Sequence, residues 1–159
     1  MPANLTITID ERQVRAAQAR LSPVRFEAAM RAGMGESTVY LRDEVRKVFP
    51  ANTGLGKGSI VADVRGQSID GLRGTVGSPL EHVAIIGEYG RRAGSAPPPV
   101  EAIQQWAARV LGDGSRGTAF IIARAIGRRG LPARHLFSET ARRGLGTITS
   151  IFTRHLRGL

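Results

Sequence analysis

Apolar and polar residues alternate over NLTITI, residues 4 to 9, and most of the run is β-branched or leucine, so the chain is predicted to open with a short strand. Asp10 is placed to cap a short helix reaching about Arg20. Ser22-Pro23 is a sharper start signal, an N-cap residue followed by proline at the first helical position. From there Phe26, Met30, Met34, Leu41, Val45 and Val48 recur near helical spacing, which predicts one long helix to about Val48. Gly33 and Gly35 weaken that helix and mark either a kink or a close helix contact. Phe49-Pro50 ends it, because the residue before proline avoids the helical region.

Two strands are predicted next, Ser59 to Arg65 and Leu72 to Gly77, joined by the polar link GQSIDG. HVAIIGEY, residues 82 to 89, fits either a third strand or a short helix. RRAGSAPPP must be a loop, since three consecutive prolines favour an extended form. Helices are predicted over Val100 to Leu111, with Ile103, Trp106, Ala107 and Val110 on one side, and over Thr118 to about Arg128, with Phe120, Ile121, Ile122 and Ile126. GDGSRG separates the two. After the GLPAR interruption a last helix is expected from about His135 to Leu156, divided near Gly144 and Gly146. The expected class is α+β: a small, mostly antiparallel β-sheet packed with one long N-terminal helix and additional C-terminal helices. A chain of 159 residues reads as a single domain, with an N-terminal strand and short helix over 1–21 and a basic helical extension over 143–159.

Charge changes this picture more than length does. The net charge is +10, and from Gly114 onward nine arginines face one acid, Glu139. A block of that kind points to a polyanionic partner, nucleic acid or an acidic protein surface, or else to a solvated basic face. There is no cysteine, which removes disulfides and thiolate chemistry and fits a reducing compartment. No apolar run approaches membrane-spanning length, and the first residues lack the basic and apolar regions of a signal peptide, so folding in a cytoplasm is expected.

Candidate chemistry is thin. PANTGLGKGS, residues 50 to 59, resembles a phosphate-binding loop, and Gly56-Lys57 supplies its G-K pair. Ala51 stands where the first glycine belongs, Gly58 where Ser or Thr must hold Mg²⁺, and a strand rather than a helix follows. The stretch therefore reads as a connection, not a nucleotide site. His82, His135 and His155 are widely spaced and form no H-x-x-x-H pair. The nearest approach to a G-x-S-x-G elbow, GDGSRG, has Asp113 in place of its first glycine. Glu81 and Glu88 make a weak carboxylate pair. No catalytic residue, cofactor or metal is expected. Base stacking needs exposed aromatics, and Phe120, Phe137 and Phe152 all sit where core residues are expected.

Three segments, in order, carry a resemblance. Pro50, Asn52, Thr53, Gly54, Leu55, Ser59 and Ile60 follow the long helix. Val83, Ala84, Glu88, Tyr89 and Gly90 come after the two strands. Gly130, Pro132, Ala133, Arg134 and Phe137 precede the last helix. In this order the chain resembles the phage neck and tail-completion proteins, the minor tail component family of lambda-like long-tailed phages, over about residues 22 to 142. Departures are one extra residue between Leu55 and Ser59, Val83 where the family usually has tyrosine, and His135 where it usually has proline.

The resemblance implies a virion structural protein at the head–tail junction, without catalysis, assembled in the bacterial host cytoplasm. It implies a ring of identical subunits, six- or twelve-fold, around the channel through which genomic DNA passes, with connector, stopper, tail-terminator or tail-tube proteins as neighbours and no membrane partner. Within it, Asn52 and Thr53 are expected to bond turn backbone, Gly54 to supply a positive φ, and Pro132-Ala133 to form a rigid elbow. Arg134 is a donor for a carboxylate or carbonyls, with Glu88 as one possible partner. Lys57, Arg91, Arg92, Arg128, Arg129, Arg142, Arg143, Arg154 and Arg157 are the expected contacts to DNA or to a neighbouring subunit. The alternative is a small basic protein that binds DNA without sequence preference.

Overall fold

The structure, a computed structural model, describes residues 5–8, 22–49, 55–157 and 159. The predicted helix between Asp10 and Arg20 and the turn residues Pro50, Asn52, Thr53 and Gly54 lie outside these. The architecture is α+β, as the pattern predicts. The elements are β1 (Leu5–Thr8), α1 (Pro23–Val48), α2 (Leu55–Gly58), β2 (Val61–Arg65), a 3₁₀ turn (Ile69–Gly71), β3 (Arg73–Gly77), α3 (Glu81–Tyr89), α4 (Val100–Val110), α5 (Arg116–Arg129) and α6 (Leu136–Arg157).

The sheet has the order β1-β3-β2 and is antiparallel throughout, with Leu5 opposite Val76 and Val61 opposite Gly77. Its alternation decides its faces. Leu5, Ile7, Ala62, Val64 and Val76 turn to the core, while Thr6, Val61, Asp63 and Arg65 are exposed. α1 packs across the inner face at Gly74, where an added Cβ would lie 2.2 Å from Thr38 Oγ1 and 2.8 Å from Met34 Sδ. Only glycine admits so close a crossing.

α1 is the spine. Phe26, Met30, Met34, Leu41 and Val45 are buried on it as predicted, whereas Val48 is 44% exposed. Ser22 occupies the N-cap position before Pro23, but its side chain makes no capping bond. α6 runs antiparallel along α1: Gly33 meets Phe152 and Gly144 meets Leu41 and Tyr40. Gly33 is thus a close helix contact. The division expected at Gly144 and Gly146 does not occur, and residues 143 to 157 continue the helix that begins at Leu136. A Cβ on Gly144 would come within 3.1 Å of Leu41 and Tyr40, so this glycine serves helix approach; Gly146 is exposed with open space around it and simply tolerates the helix. Two buried clusters result, one of Leu41, Val45, Ile60, Val76, Ala84, Phe137 and Ile148, the other of Phe26, Met30, Met34, Ile69 and Leu72.

Residues 81 to 89, open between strand and helix from the pattern, form α3. Ala84, Gly87 and Glu88 are buried at helical spacing, and Ser78 Oγ accepts from Leu80 N at 3.0 Å just before the first turn. α4 and α5 pack on each other as a hairpin. α5 begins two residues earlier than predicted. Ser115 caps it by accepting from Thr118 N, and Asp113 Oδ1 accepts from Ser115 N at 2.8 Å. GDGSRG is therefore a capping segment.

The buried side of α5 differs from the prediction. It consists of Ala119, Ala123 and Gly127, one stripe at four-residue spacing. Phe120 is 53% exposed and Ile121 67% exposed, so Phe120 is not a core residue. At the end of that stripe the packing is close: a Cβ on Gly127 would lie 3.1 to 3.2 Å from Ser95 O and Pro97. Val110 of α4 is likewise half exposed, while Ala107 is buried.

Candidate functional site

The described parts of the three segments that carry the resemblance, Ser59 and Ile60 in the first, lie around one place. Phe49, at the end of α1, packs edge-on against Phe137 in the first turn of α6, with ring centroids 6.5 Å apart. Two glycines make room for Phe49. A Cβ on Gly56 of α2 or on Gly87 of α3 would each come within 3.0 Å of its ring. Ser59 ties the same region to the sheet: its Oγ donates to Gly56 O at 2.8 Å and lies 2.8 Å from Ser78 Oγ. Ile60 and Ala84 are fully buried beside them.

The second and third segments are locked together by backbone. Arg91 N donates to Leu131 O at 2.9 Å, and Leu131 N returns a bond to Arg91 O at 2.8 Å. A glycine precedes each member of that bridge. Gly90 has φ 71°, ψ −149° and Gly130 has φ 72°, ψ −167°, a region essentially reserved for glycine. Their missing side chains matter as much as their torsions. A Cβ on Gly90 would sit 2.3 Å from Leu131 O, and one on Gly130 2.2 Å from Arg91 O. Gly94 N extends the lock with a 2.8 Å bond to Gly127 O.

Glu88 is the buried acid of this junction, 7% exposed. Its Oε2 accepts from Phe137 N at 2.9 Å and from Ser138 N at 3.3 Å, its Oε1 accepts from Ser138 Oγ, and its own carbonyl accepts from His135 N at 3.1 Å. A carboxylate at the N-terminus of a helix satisfies donors that have no partner inside the helix and opposes the positive end of its dipole. Glu88 is therefore the cap of α6, delivered from α3. Arg134 does not pair with it: Arg134 is exposed and makes no ion pair among the described residues. The nearest basic group is His135 Nδ1, 3.9 Å from Oε1. Tyr89 and Pro132-Ala133 are exposed, so the elbow presents its edge to solvent.

The candidate contact cations separate into two groups. Arg142 and Arg143 both bond Glu139, whose pKa is lowered to about 2 chiefly by the Arg142 hydrogen bond. Arg154 bonds Glu36 across the α1–α6 seam, joined by His155 at 2.8 Å, and the same Glu36 pKa is lowered by Arg154 first and His155 second. Arg91 is half-buried and donates to Ala96 O. These are held within the chain. Lys57, Arg92, Arg128, Arg129 and Arg157 are exposed and carry no ion pair among the described residues. Among those residues no group of three or more His, Cys, Asp or Glu converges to hold a metal, and no helix is long and apolar enough to cross a membrane.

Sequence reasoning missed Ser138, Glu36 and the Phe120–Ile121–Arg124 surface of α5. The last had a signal: Ala119, Ala123 and Gly127 form a small-residue face as regular as the large apolar one. No family model matches this chain, and no curated protein or solved structure matches it either.

Proposed function

We propose that this chain is a non-enzymatic virion structural protein of the phage head–tail junction. It forms a homo-oligomeric ring around the DNA channel and joins the tail to the DNA-filled head, with connector, stopper, tail-terminator or tail-tube proteins as neighbours. The observation that carries the reading is the convergence around Phe49 and Glu88. Described parts of three segments far apart in the chain, each matched to the family's order of motifs, pack together there. Glu88 of the second segment caps the helix that the third segment leads into, which ties the two together. A ring needs heterologous contacts that close by rotation, and the exposed edge of Tyr89, Pro132 and Arg134 beside the RRAGSAPPP loop is a surface for them.

The free arginines and the exposed Phe120 favour a second reading, non-specific DNA binding. Salt separates the two, since phosphate-driven affinity falls steeply with ionic strength while a packed protein ring persists. The test of the first reading is electron microscopy of particles made by a phage or prophage from which this gene is deleted. Filled heads beside separate or unfinished tails are expected. Intact infectious particles would refute the assignment.

A further inference from the structure

From the α4–α5 hairpin we infer a docking strip for an acidic, amphipathic segment of a different protein. α5 carries four arginines and no acid, and its narrow Ala119–Ala123–Gly127 side is the one buried. Its outward side holds a shallow groove of about 270 Å³ lined by Phe120, Ile121, Arg124, Ala125, Arg128 and Arg129. Scattered exposed apolar residues are ordinary on a protein surface, but here a phenylalanine and an isoleucine more than half exposed adjoin three cations. Arg124, Arg128 and Arg129 have no ion pair among the described residues.

The chemistry of the occupant follows from both halves of the groove. A duplex backbone would satisfy the arginines and leave Phe120 and Ile121 against a polar surface, and a single-stranded base stacked on Phe120 would still leave Ile121, 67% exposed, without an apolar partner. A second copy of this chain would bring apolar area, but also a net charge of +10 against these arginines, and among the described acids Glu101 is exposed without an ion pair. Glu27, Glu36, Asp43, Glu44, Asp63 and Glu139 are already paired with basic side chains of their own chain. Glu88 and Asp113 are spent on helix starts. A segment with apolar residues at helical spacing, flanked by Asp or Glu, meets both demands, as in helix-in-groove recognition. The peptide preference rests on the chemistry of the strip alone; in the head–tail reading the acidic segment belongs to a neighbouring junction protein, so failure of the peptide selection and failure of the gene-deletion experiment are distinguishable.

The test is selection from a display library of random peptides, each long enough for about four helical turns. The full chain is the bait, and the Phe120→Ser/Ile121→Ser double variant is the counter-bait. That variant keeps every charge, so peptides held by net charge alone bind both. Enriched peptides are expected to be acidic and amphipathic, and to bind the double variant and Arg124→Glu/Arg128→Glu each about tenfold or more weakly. No enrichment, or enrichment of non-acidic peptides, would overturn the inference. So would a labelled DNA duplex that loses affinity with the arginine variant and ignores the serine variant, or self-association that the serine variant abolishes. Unfolding of the serine variant on purification would show the strip to be core, with the same consequence.

Discussion

The α1–sheet–α6 unit and the α4–α5 hairpin solve packing in opposite ways. In the first, large side chains go inward: Phe26, Met34, Leu41, Ile60 and Val76 are nearly or fully buried, and Arg154 on the α1–α6 seam is answered by Glu36. In the second, alanines and a glycine go inward, while Phe120, Ile121, Val110 and the α5 arginines remain outside. Area removed from water drives stability, so the first unit carries the fold. The hairpin, tied on by the Gly90–Gly130 crossover, keeps its large apolar groups for something else.

The sharpest break in this comparison is a pair of truncations of the same residue type. Phe137→Ala should destabilise by about 3–5 kcal/mol, through lost burial and the cavity left against Phe49, whereas Phe120→Ala should leave chemical denaturation nearly unchanged. Equal losses would mean that the hairpin is core. Next in size is the crossover. Gly90→Ala or Gly130→Ala forces a Cβ onto backbone at a torsion reserved for glycine, and each should cost at least about 2 kcal/mol. Thermal unfolding that matches wild type would refute the lock. Glu88→Ala leaves the Phe137 and Ser138 donors unpaired, and a loss of roughly 2 kcal/mol is expected.

A smaller effect runs the other way. Gly146→Ala, in open space on α6, should stabilise by about 0.5–1 kcal/mol, and Gly144→Ala should not, because Leu41 is fully buried and cannot yield. Smallest is the acid dependence of the Glu139 cluster. Its folded-state pKa is depressed from 4.5 to about 2, so its contribution is fully present above 4.5 and is lost as pH falls through about 2. The melting-temperature gap between wild type and Glu139→Gln should close across that window and shrink in high salt, since the pair is exposed. A gap constant down to pH 2 would contradict it.

What was legible in the sequence tracks local chemistry. α1 begins and ends where Ser22-Pro23 and Phe49-Pro50 put it, because proline acts on its own neighbours whatever the tertiary context. That β1, β2 and β3 are strands in a small antiparallel sheet was legible, while the order β1-β3-β2 was not. The continuity of α6 was hidden, since Gly144 looks like a breaker until Leu41 and Tyr40 are seen against it. The outward turn of Phe120 was hidden for the same reason: which face of an amphipathic helix is buried depends on the partner, and the buried stripe of α5 ends at Gly127, where Ser95 and Pro97 backbone leaves no room for a side chain. Glu88 was named with Arg134 as a candidate partner within the subunit or across a ring contact; within the chain it instead caps α6, because a helix N-terminus is not visible as a cation in sequence.

The measurement that tests this division most directly uses the Phe120→Ser/Ile121→Ser variant twice. Its melting temperature is compared with wild type, and it is used to complement a phage or prophage lacking the gene. The account predicts an unchanged melting temperature together with failure to join filled heads to tails. A melting temperature that falls as far as that of Phe137→Ala, or full restoration of infectious particles, would contradict it.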